Sequence, residues 1–207
     1  MPQLGNAIFP GRTFSTPFFV DYGKDGKSDR CGADRYVYAL SNDGAWNNGN
    51  WMTLGRVPQD RISRLYPQDW EFVHGFDDRR DPIWQPNHAS ALYIFWSPGR
   101  TSMCGMHYIQ QLDRYILPQW HYTRLHDPSR TFDATWWEFY EGPAPWGPWS
   151  LFYSQDFEPE AWYNPCIPAK FISPDGKKLW IFTAGNFIRQ ELNLYGLWMM
   201  PMTLELD

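Results

Sequence analysis

Leu179-Trp-Ile-Phe-Thr-Ala-Gly-Asn186, entered through the turn Pro174-Asp-Gly-Lys177, sets the pattern for the whole chain. A short run of aromatic and β-branched residues follows an Asp-Gly pair, the local signal of a strand leaving a tight turn. Arg35-Tyr-Val-Tyr-Ala-Leu-Ser-Asn42 repeats the arrangement behind a Lys24-Asp-Gly-Lys27 turn. Each is preceded by a first strand, Thr16-Pro-Phe-Phe-Val20 in one case and Asn164-Pro-Cys-Ile-Pro-Ala-Lys-Phe171 in the other. Each is followed by an outer one, Trp51-Met-Thr-Leu54 and Tyr195-Gly-Leu-Trp-Met-Met200. A third version comprises Ala89-Ser-Ala-Leu-Tyr-Ile-Phe-Trp96, Met106-His-Tyr-Ile-Gln-Gln-Leu112 and Arg114-Tyr-Ile-Leu117. Meanders of about four strands, recurring every 45 to 65 residues or so, are the signature of propeller blades. Short strands at regular spacing also suit a sandwich or jelly roll; the matching places of the two Asp-Gly hairpins favour blades. The expected fold is therefore all-β, one β-propeller domain over 1–207. Its four-stranded antiparallel blades number three, at about 12–74, 88–150 and 163–207, the last one short. Propellers close with roughly four to eight blades, so the expectation is an incomplete ring, or one needing a partner.

Strands are expected at 16–22, 35–41, 51–57, 70–74, 89–96, 105–112, 114–122, 135–141, 150–154, 166–172, 179–184 and 194–202. A helical turn fits only 59–65. Sixteen Gly and eighteen Pro interrupt the chain too often for long helices. Trp, Tyr and Phe make up 19% of the 207 residues; they favour strands and offer flat apolar faces on which a sugar ring stacks. The net charge of −5 speaks against nucleic acid as a partner, and no apolar run has the length of a membrane span. Cys31, Cys104 and Cys166 lack the spacing of a zinc ribbon or redox pair and read as free, packed thiols. The first residues, MPQLGNAIFPGRTF, carry neither a basic region nor a continuous apolar stretch, so no signal peptide is expected.

Phe14-Ser-Thr-Pro-Phe-Phe-Val-Asp-Tyr-Gly23, Asp34-Arg-Tyr-Val-Tyr-Ala-Leu-Ser-Asn-Asp-Gly-Ala-Trp-Asn-Asn-Gly-Asn50 and Leu54-Gly-Arg-Val-Pro58 together resemble a family of five-bladed β-propellers long known as a domain of unknown function. Asp69-Trp-Glu-Phe72, Pro145-Trp-Gly-Pro-Trp149 and Ser173-Pro-Asp-Gly-Lys-Lys-Leu-Trp-Ile-Phe182 extend the likeness from about Gly11 to Asn186. It implies a mainly secreted protein, which leaves the compartment of this chain open. It also implies relatives that are endo-D-arabinanases, inverting glycoside hydrolases. In such propellers the catalytic carboxylates tend to lie in the first blades, and this chain looks like the last three.

An inverting glycosidase holds an acid and a base roughly 6.5–9.5 Å apart. Asp34, Asp43 and Glu141 are the candidates here, with Asp21, Asp81 and Glu138 also at strand ends, and no pair stands out. Asp43, before Gly44, and Asp175, before Gly176, read most simply as turn residues. In Trp46-Asn47-Asn48-Gly49-Asn50-Trp51 two indoles flank amides that both donate to and accept from hydroxyls, the mixture a shallow sugar site requires. The same loop suits left-handed Asn backbone with the indoles packed on a neighbouring blade. Ser15 and Thr16, His88 and Ser90, and Tyr163 and Asn164 open the proposed first strands and are expected to share the axis. Pro145–Trp149 reads as a rigid corner, and the hairpin from Ser173 resembles the Asp-box of sialidase-type propellers, a turn without chemistry.

His74, His88, His107, His121 and His126 show no zinc-binding spacing, so no metal site is expected. Nor is there a G-x-S-x-G nucleophile or a Gly-rich phosphate loop, and no cofactor is expected. The expected partner is a polysaccharide or oligosaccharide such as arabinan, bound or hydrolysed. The alternative is a non-catalytic scaffold for protein contacts, with a homo-oligomer covering exposed blade faces.

Overall fold

The computed structural model describes residues 7–23, 35–123, 134–158, 160–189 and 192–205, with backbone alone for 186–189 and 192–194. The fold is all-β; among the described residues helix occurs only as single 3₁₀ turns, one of them Ile62–Arg64 inside the helical turn expected at 59–65. No described helix is long and apolar enough to cross a membrane.

The strands form three antiparallel meanders. The first contains β1 (Phe18–Asp21), β2 (Tyr36–Asn42) and β3 (Gly49–Pro58), with the outer edge of β3 divided between two later strands. β4 (Glu71–Phe76) takes Gly55 and Arg56 and is itself edged by β5 (Pro82–Gln85), whereas β6 (Tyr93–Thr101) takes the stretch from Gly49 to Thr53. The second runs β7 (Met106–Ile109), β8 (Arg114–Tyr122), β9 (Thr135–Gly142) and β10 (Ser150–Asp156). The third has β11 (Ala161–Cys166), β12 (Lys178–Arg189) and β13 (Leu192–Thr203). A short parallel bridge, Val20 opposite Met106 and Asp21 opposite His107, joins β1 to β7 and makes the first two meanders one continuous sheet.

Two strands differ from the sequence reading. The run at 89–96, expected to head the second meander, lies mostly in β6 and completes the first. Trp96 and Phe95 find cross-strand partners in Trp51 and Met52, and this packing decides the pairing. The strand expected at 166–172 sits at Ala161–Cys166 instead. Pro165 and Pro168 lack an N–H for the ladder, and the chain turns through a 3₁₀ turn at Ala169–Phe171.

Burial explains the order. Tyr38, Leu40, Met52 and Leu54 of the first meander meet Met106, Tyr108, Tyr115 and Leu117 of the second. From its opposite face the second meander sends Ile109, Ile116, Trp120, Trp137 and Phe139 against Tyr163, Ile167, Leu179 and Ile181 of the third. The outer face of the first is closed by Phe9, Phe14 and Trp70 over Ala39, Val57 and Phe72. β2 and β8 are thus covered on both sides, which is why they read as near-continuous apolar runs. Phe139, fully buried against Trp137 and Tyr153, tests this arrangement. Phe139→Ala is expected to lower unfolding stability by about 3–5 kcal/mol, read as a shifted urea midpoint with an unchanged slope.

Candidate functional site

β1 and β7 run parallel, so their N-terminal ends lie at the same end of the molecule, together with the β2–β3 loop that antiparallel pairing returns there. At this end Trp46, 49% exposed, sets its ring edge-on to the buried Trp120 of β8, centroids 5.5 Å apart. Trp120 packs on Tyr163 of β11 at 5.4 Å, and Tyr163 on Tyr195 of β13 at 6.2 Å, where Tyr195 is 66% exposed. Four rings therefore form a line across all three meanders, open at both ends. Trp120 Nε1 donates to Asn164 Oδ1 at 3.0 Å, and Asn164 adopts left-handed backbone, φ 48°.

The loop beneath Trp46 is held by its own amides. Asn48, φ 49°, donates from Nδ2 to Tyr122 O (2.9 Å) and Gly99 O (3.0 Å) and accepts at Oδ1 from Tyr122 N–H (3.1 Å). One of its N–H bonds clamps the first meander to Tyr122 of the second, and the other ties the loop to Gly99 of β6 within the first. The Asp43 carboxylate, almost wholly buried, accepts from Ala45 N–H, Asn50 N–H and Asn50 Nδ2 at 2.9–3.3 Å. A Cβ at Gly49 would collide with Asp43 Oδ1, so glycine is required there by space rather than by backbone angle. Asp43 acts as a turn organiser. Thr16 Oγ1 donates to Asn42 Oδ1 at 2.8 Å, and Ser15 stands exposed beside Gly44. Asn47 is half-buried, and its amide makes no hydrogen bond among the described residues.

The structure thus brings Trp46, Asn47, Asn48, Tyr163 and Asn164 to one end, with Ser15 and Thr16 at the edge of the same loop. It does not bring the rest. Trp51 faces the outer side of the first meander, stacked with Tyr93 (4.7 Å, 22°) and Trp96 (6.2 Å, 5°), so the two indoles of the loop do not flank one site. His88 and Ser90 occupy a 3₁₀ turn behind the first meander. His88 Nε2 lies 2.9 Å from Pro10 O, with its ring against Phe9 and Phe72. They lie away from that end because the residues after them form β6, which edges β3. Asp34 lies outside the described residues, as does the Lys24–Lys27 turn. Glu141 pairs with Ile116 at the opposite end of β8 from Trp120, lies 3.7 Å from Arg114 Nε and borders a groove of about 1040 Å³ between the second and third meanders. Asp43 and Glu141 therefore stand at opposite ends and do not form a hydrolytic pair. Glu138 is engaged by Arg100 (2.6 Å) and Tyr140 Oη (3.1 Å).

Residues from all three meanders meet where Asp21 ends β1 and Ile167 follows β11. His107 Nε2 accepts from Ile167 N–H at 3.3 Å, which places the proton of the neutral ring on Nδ1, 3.6 Å from Asp21 Oδ2. Burial, and then the nearby Asp21 carboxylate, raises the pKa of Cys166; burial drives Cys104 up to about 12, against the opposing hydrogen bond from Ser102. Both thiols stay protonated and are poor nucleophiles. No cluster of three or more metal-binding side chains exists among the described residues. Sequence reading missed Trp120 and Tyr195 as site residues: each lies in an ordinary strand run, and only the packing of three meanders makes them neighbours. Of the other motifs, Trp146 is packed against Trp84, and Asp175 ties the 173–178 hairpin by accepting from Lys177 N–H; both are architecture.

No family model matches the sequence, and no curated protein matches it. Solved structures with some likeness are GH43 and galactan-directed enzymes. A GH43 β-1,3-galactosidase is 12% identical with a TM-score of 0.40, over 81% of this chain and 33% of that one. A Bifidobacterium bifidum protein assigned as an exo-β-1,3-galactanase is 15% identical with a TM-score of 0.42, over 73% and 42%. The chain spans less than half the length of either.

An exposed thiol ionises near 9.0 while Cys104 holds its proton to about 12. Between these values the folded chain binds more protons than the unfolded one. Stability is therefore intact below pH 9 and falls as pH rises toward 12. Cys104→Ala is expected to flatten that alkaline decline, measured as urea midpoints at pH 8 to 11.

Proposed function

We propose that the three meanders are blades of a β-propeller of the type the sequence resembles, and that the chain binds a polysaccharide at the exposed rings of Trp46 and Tyr195, which the buried Trp120 and Tyr163 support from beneath. One observation carries this reading: the line crosses all three meanders and ends on two rings with open faces, beside the amides of Asn47 and Asn164. Sugar rings present C–H faces to aromatic rings and hydroxyls to amides, so one array serves both. The nearby carboxylates support holding rather than hydrolysis. Asp43 is spent on its turn, Glu138 on Arg100 and Tyr140, and Glu141 lies at the far end. The ligand class is a neutral furanose or pyranose polymer; arabinan follows from the sequence resemblance, and β-1,3-galactan is the second polymer to try. The competing role, a scaffold for protein contacts, is favoured by the apolar outer face of the third meander.

Affinity electrophoresis in gels containing arabinan or β-1,3-galactan tests the site. Trp46→Ala, which alters a half-exposed ring, is expected to weaken retention about tenfold, equivalent to about 1.4 kcal/mol, and to leave thermal stability unchanged. Trp96→Ala, in the stack on the other side of the first meander, is expected to leave retention intact. No retention on either polymer, or equal loss from both variants, sinks the proposal.

A further inference from the structure

Trp120 carries two loads at the end where Trp46 stands. Its ring lies against those of Trp46 and Tyr163, and its Nε1–H donates to Asn164 Oδ1 at 3.0 Å. An indole nitrogen donates and never accepts, so the Asn164 amide can meet it only through oxygen. Chemistry therefore fixes which amide atom is left over: the NH2 group. Nδ2 has no acceptor among the described residues and is not an enclosed atom, so it stands open to solvent. The backbone is set as firmly as the side chain. Pairing of β11 with β12 shifts by one residue between Tyr163 and Cys166, a bulge that takes in Asn164 at φ 48°. Thr183 Oγ1 donates to Tyr163 O at 2.7 Å and ties the bulge to β12. Bulges re-aim a side chain away from the ladder, and Asn is among the few residues that accept left-handed backbone there. Asn48, at φ 49°, is the instructive contrast: its amide is engaged at both ends by Gly99 and Tyr122. Of these two left-handed asparagines, Asn164 alone keeps a donor for something outside the chain.

We infer that Asn164 is the specificity-determining residue of the glycan site, presenting its NH2 group as a fixed donor to a sugar oxygen, and that Trp120 is the positioning residue that orients it. The inference rests on the glycan reading above. A free amide rotates and offers oxygen or nitrogen in turn, so it recognises donors and acceptors alike. Clamped by an indole N–H, it offers only a donor, and the cost of choosing that orientation is met before the ligand arrives. A sugar hydroxyl satisfies either kind of partner, but ring and glycosidic oxygens carry lone pairs and no proton. Those are the oxygens that a fixed donor reads and that a fixed acceptor would reject. Trp46 and Asn164 are both direct neighbours of the Trp120 indole. A sugar stacked by its C–H face on Trp46 therefore brings its edge oxygens toward the same indole that holds the amide. Trp120 itself is fully buried between the second and third meanders, so it acts on the ligand through its neighbours and does not touch it.

Affinity electrophoresis of the full chain in arabinan and β-1,3-galactan gels reads the donor directly. Asn164→Asp has the same shape, tolerates the left-handed backbone and still accepts from Trp120 Nε1–H, so thermal stability is expected to hold. It sets an acceptor where the NH2 stood and is expected to weaken retention at least about tenfold. Asn164→Gly keeps the backbone angle and removes the amide altogether; it is expected to weaken retention similarly and supplies the reading if the carboxylate disturbs the fold. Trp120→Phe keeps a ring but removes the N–H, and is expected to weaken retention in the wild-type background. Added to Asn164→Gly it is expected to cause no further loss, because the group it orients is gone. Losses that add in that cycle show Trp120 acting through packing alone and overturn its positioning role. A wild type retained on a polymer together with an Asn164→Asp protein retained equally overturns the inference and leaves the glycan reading standing. A wild type retained on neither polymer overturns both.

Discussion

Face-to-face packing of apolar sheet surfaces is the constraint on which the remaining structure rests. Each meander is thin and stable only when at least one side is covered, and the middle one is covered on both. Large rings do this covering: Trp120, Trp137 and Phe139 are fully buried between the second and third meanders. Phe72 and Phe14 play the same part on the outer side of the first. Once these faces are opposed, the first strands are brought near enough for the β1–β7 bridge and for Asp21, His107 and Ile167 to meet. The aromatic line at one end follows from the same packing, because Trp46 and Tyr163 reach Trp120 only when both of its neighbours are in place.

Polar side chains in the interior serve position more than chemistry. Asn48 spends its amide on Tyr122 and Gly99, Asp43 its carboxylate on Asn50 and Ala45, and Ser102 its hydroxyl on Trp120 N–H. Each satisfies a backbone or amide group that burial would otherwise leave unpaired. What is left for a ligand is small and sits where the loops face solvent.

Strand content was legible because short aromatic and β-branched runs bounded by turn residues are local signals, and most expected strands lie within a few residues of the observed ones. The β2 and β12 runs, Tyr36–Asn42 and Lys178–Arg189, show this best. Pairing was less legible. Nothing in Ala89–Trp96 says that it edges β3 rather than opening a new meander, since the choice depends on Trp51 and Met52 forty residues earlier. The same non-locality hid the site. Trp46, Asn47, Tyr163 and Asn164 could be named from their loop and strand positions. Trp120 and Tyr195 could not; His88 and Ser90 lie elsewhere because the run after them edges β3, and Trp51 because its side chain takes the face that carries Tyr93 and Trp96.

The divided edge of β3 has a kinetic consequence. β4 closes one half of it after a short excursion, but β6 must return from beyond residue 90 to close the other. Loops of that length are slow to shut, and ladders built from them come late. During synthesis the first meander thus keeps a raw edge until Thr101 has emerged, and β7 follows almost at once. Completion of one unit and nucleation of the next are thereby tied together in time. A nascent chain stalled between β4 and β6 would present the unpaired Gly49–Thr53 stretch, with Trp51 at its centre, as a ready template for misassembly.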